Sequence, residues 1–140
     1  MKITIISASY MKDADEIAEV CKGKHVYLWN TSRVRDPWRI MELRKMNRTS
    51  PDVQAVLMNC MSSKLTVQLF QQNAYALAMD LDSTDNVTFI FTCRKGKYQS
   101  PAVAELVAAK LRGLGLNDVT VRHLRQEAMK TKKAKAGKEE

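Results

Sequence analysis

The stretch Asn86-Val87-Thr88-Phe89-Ile90-Phe91-Thr92-Cys93-Arg94-Lys95-Gly96-Lys97-Tyr98-Gln99-Ser100-Pro101 limits the fold of this chain more than any other. Val87 to Phe91 are strand formers. A short cationic loop follows, and Ser100-Pro101 has the form of a helix N-cap followed by proline at N1. The expected unit is a strand, a loop and a helix over residues 87–112. The first N–H groups of a helix lack intrahelical partners and lie at the positive end of its dipole, so a loop there suits a phosphoryl group. Arg94, Lys95 and Lys97 add charge at the same place. A basic loop of this kind is also common as plain solvated surface, so the pattern alone is a hypothesis.

The same alternation extends along the chain. Residues 2–6 read as a buried strand. Asp13 with Glu16 gives a capping-box-like start for a helix that turns Ile17, Val20 and Cys21 to the core and stops at Gly23. His25 to Trp29 read as a second strand, with Trp29 as core rather than a stacking platform. Ser50-Pro51 repeats the cap-then-proline signal ahead of Val53, Val56, Leu57 and Cys60 at helical spacing. Phe70, Ala74, Leu77 and Leu81 carry a further helix over about Lys64 to Asp80. After Ser100, the positions Val103, Leu106, Val107, Leu111 and Leu114 share one side of a helix, and Gly113 and Gly115 mark its end. Val119 to Leu124 form the last strand. Nearly continuous apolar strands separated by helices indicate an α/β fold: a three-layer, mainly parallel sheet of about four strands with helices on both faces.

In such sheets ligands collect beyond the carboxyl ends of the strands. That rule gathers Ser7, Ser9 and Tyr10, the arginine-rich segment after the second strand, and Arg94 to Ser100. The segment from Asn30 to Ser50 is long for a bare connection, which points to a functional loop. It carries Arg33, Arg35, Arg39, Arg44, Lys45 and Arg48 against Asp36 and Glu42. A short helix within Trp38 to Met46 fits its pattern, and Trp38 beside Arg39 could stack on a base or sugar.

With 140 residues, 45% of them hydrophobic, the chain suffices for one core. The expected division is a single α/β domain over residues 1–125 and a basic tail over 126–140 without regular structure. The formal net charge is +8, and residues 110–140, with 9 basic and 4 acidic side chains, supply +5 of it. Lys130, Lys132, Lys133 and Lys135 in that tail, with Arg39, Arg44, Lys45 and Arg48, form a candidate nucleic-acid surface. No apolar window approaches the ~18 residues of a membrane span, and the N-terminal apolar run is short for a secretory signal. Cys21, Cys60 and Cys93 are odd in number and lack CxxC spacing, which argues against a disulfide framework or a zinc site. A cytoplasmic protein without metal or cofactor is the expectation. His25 and His123 read as structural, and the eight methionines as core filler.

These residues carry a resemblance to the C-terminal domain of RapZ, the bacterial RNase adapter, as far as about Arg125. In that family a strand runs into Cys-Thr-Gly-Gly-Lys/Arg-His-Arg-Ser at a helix start, followed by Val-x-x-Ala-Glu-x-Leu. Here stand Cys93-Arg94-Lys95-Gly96-Lys97-Tyr98-Gln99-Ser100 and Val103-Ala104-Glu105-Leu106. Asn30 to Pro37 resembles the family's Asp-Val-Arg-Phe-x-Pro-Asn-Pro loop. Thr49-Ser50-Pro51-Asp52 resembles its Thr-Gly-x-Asp, and Ser7-Ala8-Ser9-Tyr10-Met11 its Ser-Phe-Gly-Tyr-Lys. The resemblance implies an α/β domain that oligomerises and binds an amino-sugar phosphate at this loop; the full-length adapter also binds small RNAs. Tyr98 and Gln99 replace the family's His and Arg, Lys95 its first Gly, and Asn30 and Ser32 its loop Asp and Arg.

Two readings follow. The first is a noncatalytic receptor for a small phosphorylated ligand, a sugar phosphate or nucleotide, using Ser9, Arg33, Arg35 and the run Cys93, Arg94, Lys95, Gly96, Lys97, Tyr98, Gln99 and Ser100. The second is an RNA-binding module using the 33–48 segment and the lysine tail. A cysteine-dependent phosphatase is a weaker third, since Gln99 stands six residues after Cys93 where that chemistry needs an Arg for transition-state charge. No GxxxxGK[ST] motif supports an ATPase.

Overall fold

The computed structural model describes residues 1–34 and 50–139. Arg35, Trp38, Arg39, Arg44, Lys45 and Arg48, and the short helix expected within 38–46, lie outside the described residues. In chain order the elements are β1 (Ile3–Ser9), α1 (Ala14–Val20), β2 (Val26–Asn30), α2 (Pro51–Asn59), α3 (Met61–Met79), β3 (Val87–Cys93), α4 (Gln99–Gly113), β4 (Val119–His123) and α5 (Leu124–Glu139). The strands form one all-parallel sheet in the order β2-β3-β1-β4. Ile3 to Ser9 of β1 run level with Val87 to Cys93 of β3, and Ile3 to Ser7 with Val119 to His123 of β4.

The pleat sends alternate residues to opposite faces. Ile3, Ile5, Val87, Phe89, Phe91 and Val119 enter the larger core under α2, α3 and α4, whereas Ile6, Ala8 and Ile90 enter a smaller one with Ile17 of α1 and Leu124 of α5. Trp29 packs into the larger core, with ring centroids 5.6 Å from Phe89, 5.5 Å from Phe91 and 6.0 Å from Phe70. Such aromatic pairs each add roughly 0.5–1.5 kcal/mol beyond burial.

Several local expectations change. Ser50 caps α2 as its spacing indicates, accepting the Val53 N–H at 3.4 Å. Ser100 does not cap α4: the helix starts at Gln99, with Tyr98 as its N-cap residue. The Ser100 hydroxyl turns inward instead, donating to the Ala8 carbonyl at 3.4 Å and accepting from the Cys93 thiol at 3.3 Å. Asp13 occupies the N-cap of α1 without a capping bond to that helix, because a distant arginine takes its carboxylate. Cys21 is exposed rather than in the core. Leu124, expected to end the last strand, begins α5, and residues 126–139 are helical where no regular structure is expected. Gln, Ala, Met and Lys are good helix formers, and the buried Leu124 anchors the first turn. Arg122 adds a tether, reaching Glu127 of α5 at 3.0 and 3.1 Å and Glu16 of α1 at 3.5 Å. The Glu127 bonds hold its guanidinium more firmly protonated than usual, against the opposing effect of partial burial.

Helix α3 departs furthest from its pattern. Its inward row is Ser63, Val67, Gln71, Ala74 and Ala78. Phe70 and Leu77 flank that row half-buried, and Met61, Leu65, Leu69 and Met79 face outward. The buried Gln71 amide donates to the Leu106 carbonyl of α4 at 3.0 Å, which supplies the partner a buried amide requires.

Cys60 forms the one-residue joint between α2 and α3, in extended conformation at the start of α3. Its thiol is lowered from the ordinary range to about 7, chiefly by the Ser62 hydroxyl 3.5 Å away and then by the backbone and side chain of Ser63. The thiolate is the reactive form. Iodoacetamide labelling of Cys60, followed by peptide mass spectrometry, should therefore rise with a midpoint near pH 7. Ser62→Ala should move that midpoint upward; a midpoint unchanged by the substitution would refute this account of the thiol.

Candidate functional site

Strands β1 and β3 are neighbours, yet the chain leaves them for opposite faces: α1 follows β1 into the smaller core, and α4 follows β3 into the larger. The carboxyl ends of this pair are thus a topological switch point, where open parallel sheets place their ligand crevices. The 9–13 loop, the 94–98 loop and the start of α5 converge there.

Gly96 sets how closely they approach. Its φ is +68°, a left-handed conformation that side chains rarely adopt, and a Cβ on it would lie 2.6 Å from the Ser9 nitrogen, 2.8 Å from the Ala8 carbonyl carbon and 2.9 Å from Cγ of Arg125. The Ser9 hydroxyl locks the two loops, donating to the Arg94 carbonyl at 2.5 Å and accepting from the N–H groups of Lys12 at 3.0 Å and Met11 at 3.2 Å. Tyr10 donates its N–H to the Cys93 carbonyl at 3.1 Å.

Beneath these loops lies a buried ion pair. Asp13 accepts from the Ser9 N–H at 2.8 Å and from Nε of Arg125 at 2.9 Å, with a second bond from the Arg125 terminal nitrogen that makes the pair bidentate. The Asp13 side chain is 2% exposed and that of Arg125 17%. His123, two residues before Arg125, secures the strand end from which Arg125 extends. Its Nε2 lies 2.7 Å from the Glu105 carboxylate of α4 and its Nδ1 2.6 Å from the Ser7 hydroxyl. A carboxylate only accepts, so Nε2 carries the proton; Nδ1 of a neutral ring then accepts from Ser7. Ser7 is fully buried, and the trio is a structural clamp.

Above the ion pair is a cleft lined by Lys12, Lys97, Arg125, Ala128, Met129 and Lys132. Its charged lining is wholly cationic, and it draws on the loops after β1 and β3 and on α5. The geometry suits an oxyanion at the cations and a small apolar group against Ala128 and Met129.

The residues expected in the site divide accordingly. Ser9, Cys93, Gly96, Tyr98 and Ser100 are buried and shape the loops from below. The Cys93 sulfur accepts the Gly96 N–H at 3.2 Å and donates to Ser100, which anchors the loop internally. The Gln99 amide donates to the carbonyls of Val34 at 2.7 Å and Ser32 at 3.3 Å, tying the segment after β2 to α4. Arg33, Arg94 and Lys95 are exposed, with Nε of Arg94 lying 3.3 Å from the Met11 sulfur. Of the expected set, Lys97 lines the cleft. The sequence reading missed Lys12, Asp13 and Arg125 as site residues, and placed Lys132 in a nucleic-acid tail. Extending the strand-end rule to the fourth strand would have found Arg125; taking Asp13 for a cap concealed its partner.

Comparison with protein families matches residues 1–127 to the RapZ C-terminal domain. The chain belongs to the RapZ C-terminal domain family. The match runs from β1 into the first turn of α5 and so includes Asp13, Gly96 and Arg125. A RapZ C-terminal domain fits a regulatory binding module. Comparison with curated proteins gave no match. Among the described residues no helix is long and apolar enough to cross a membrane.

Proposed function

We propose that this RapZ C-terminal domain is a noncatalytic receptor for a small phosphorylated ligand, a sugar phosphate or a nucleotide, whose phosphoryl group docks among Lys12, Lys97, Arg125 and Lys132. The observation that carries the reading is this cationic cleft at the switch point of the sheet. Lysines act as point charges for phosphate, and Arg125, held by Asp13, offers a pre-oriented guanidinium edge. The buried Cys93 thiol and the engagement of Gln99 with backbone carbonyls support binding over phosphoryl transfer. Because the cleft takes residues from α5, occupancy would also fix that helix, which gives a regulatory domain an output.

The RNA reading retains one specific support: Lys130, Lys132, Lys133 and Lys135 are exposed on a helix. They are spread around its circumference rather than gathered on one side, which suits nonspecific phosphate contact. Deleting residues 126–140 would remove both the cleft wall and the lysines, so point substitutions must separate the readings.

Titration calorimetry at fixed ionic strength, with hexosamine phosphates, nucleotides, inorganic phosphate and a short structured RNA, is the test. One small phosphorylated class should bind, and Lys12→Ala with Lys97→Ala should weaken it at least tenfold, since a hydrogen bond to a charged group contributes about 1.5–3 kcal/mol. Lys130→Ala, Lys133→Ala and Lys135→Ala together should leave that affinity unchanged. If RNA alone binds, the triple variant abolishes it and raised salt erases it, the receptor reading is wrong and the RNA reading replaces it.

A further inference from the structure

Four residues of α5 border the cleft, Arg125, Ala128, Met129 and Lys132, at the i, i+3, i+4 and i+7 spacing of a single helical face. That face has a cation at each end. At 1.5 Å of rise per residue the two stand about 10 Å apart along the axis. Lys12 and Lys97 come in from the loops after β1 and β3. The cleft encloses about 170 Å³, short of the ~300–1,000 Å³ of pockets that bury a drug-sized ligand. It can take the charged end of a ligand and leaves the remainder outside.

We infer that this charged end is a diphosphate, on a ligand without an ammonium group, and that Lys132 is the residue that selects it over a monophosphate; the assignment rests on the receptor reading above. Charge supports it first. Four cations line the cleft and Asp13, beneath them, offsets one, which leaves +3. A phosphate monoester carries about −1.5 to −2 at neutral pH, and a second phosphoryl group in diphosphate linkage brings the total to about −3. Length supports it next. A single phosphoryl group held at Arg125 has all its oxygens on one phosphorus and leaves Lys132 uncompensated about two turns further along the helix. Two linked groups extend along the face towards it, with Ala128 and Met129 between the cations as a wall for the first carbons of the ligand.

The lining also selects against a ligand amine. Among the described residues it holds no carboxylate. Asp13 is 2% exposed, with one oxygen bonded to Arg125 and the other to both Arg125 and the Ser9 N–H. An ammonium group would meet like charge with no partner, and such a juxtaposition discriminates between ligands. Ala128, Met129 and Lys132 lie beyond residue 127, where the match to the RapZ C-terminal domain ends, so what this wall takes is not carried over from the family.

Titration calorimetry of the full chain, at fixed ionic strength and without magnesium, tests this with ADP, UDP, AMP, UMP, ATP, glucose 6-phosphate and glucosamine 6-phosphate. ADP and UDP should bind alike, because the base stays outside, and at least tenfold more tightly than the monophosphates. Glucosamine 6-phosphate should bind more weakly than glucose 6-phosphate. Lys132→Ala, an exposed position on α5, should remove most of the preference for diphosphates. A monophosphate as tight as ADP, glucosamine 6-phosphate tighter than glucose 6-phosphate, or a preference that survives Lys132→Ala would overturn the assignment while leaving the receptor reading in place. A further tenfold gain from ADP to ATP would mark unselective attraction of negative charge and overturn it equally. If none of these ligands binds, the assignment and the receptor reading fall together.

Discussion

Replacing Arg125 by methionine should lower the unfolding free energy by about 3–5 kcal/mol, the scale for removing one member of a buried pair. The methionine fills much of the same volume, so the loss arises from Asp13. Its carboxylate, 2% exposed, would keep the Ser9 N–H as a partner and lose both guanidinium bonds. Asp13→Asn with Arg125→Met should recover a large part of the loss, because a neutral amide is far less costly to bury than an unpaired charge. Urea unfolding of the two single variants and the double variant gives the coupling directly. A single variant within about 1 kcal/mol of the parent would place the pair among weak surface contacts and sink the argument. The pair bridges residues 112 apart in sequence, so it joins the start of α1 to the first turn of α5 across the floor of the cleft.

Gly96→Ala should be comparably severe, at about 3 kcal/mol, from two sources. A left-handed conformation disfavours a Cβ by about 1–2 kcal/mol, and overpacking adds about 1–3. The two nearest atoms it would meet are backbone atoms of Ala8 and Ser9, held in the β1–β3 ladder and unable to swing aside, and the third is Cγ of Arg125. Gly115 is the internal control. It also has a positive φ, +94°, but nothing lies within 4 Å of the Cβ position. Gly115→Ala should therefore show only the conformational part, about 1–2 kcal/mol. Equal losses at the two glycines would mean that the close approach of the 94–98 loop to β1 does not matter energetically.

Much of the architecture is legible in the residues. Val87 to Phe91 and Ile3 to Ile6 are apolar apart from Thr88 and Thr4 because both faces of their strands are covered. Ser50 caps its helix, its hydroxyl accepting the Val53 N–H. Ser100, with an equally good cap signature, fails to cap because Cys93 and Ala8 come within reach once β1 and β3 pair. The basic loop points to the right end of the sheet, yet of its cations Lys97 borders the cleft while Arg94 and Lys95 stay at the surface. Helix α3 shows the limit of periodicity. Residues at helical spacing are apolar on more than one side, so the pattern alone selects no inward row. Packing against α4 selects the row with small residues and Gln71, whose amide meets the Leu106 carbonyl.

The sequence by itself determined the strands, most of the helices, their order and the parallel sheet. Those follow from local propensity, turn residues and the fact that parallel strands need helical crossovers. Only the tertiary structure decided that Asp13, Gly96 and Arg125 meet, that four cations line one cleft, and that an apolar row of α3 remains outside. The strand order β2-β3-β1-β4 brings the ends of β3, β1 and β4 side by side across more than a hundred residues of chain, and no local spacing encodes that adjacency.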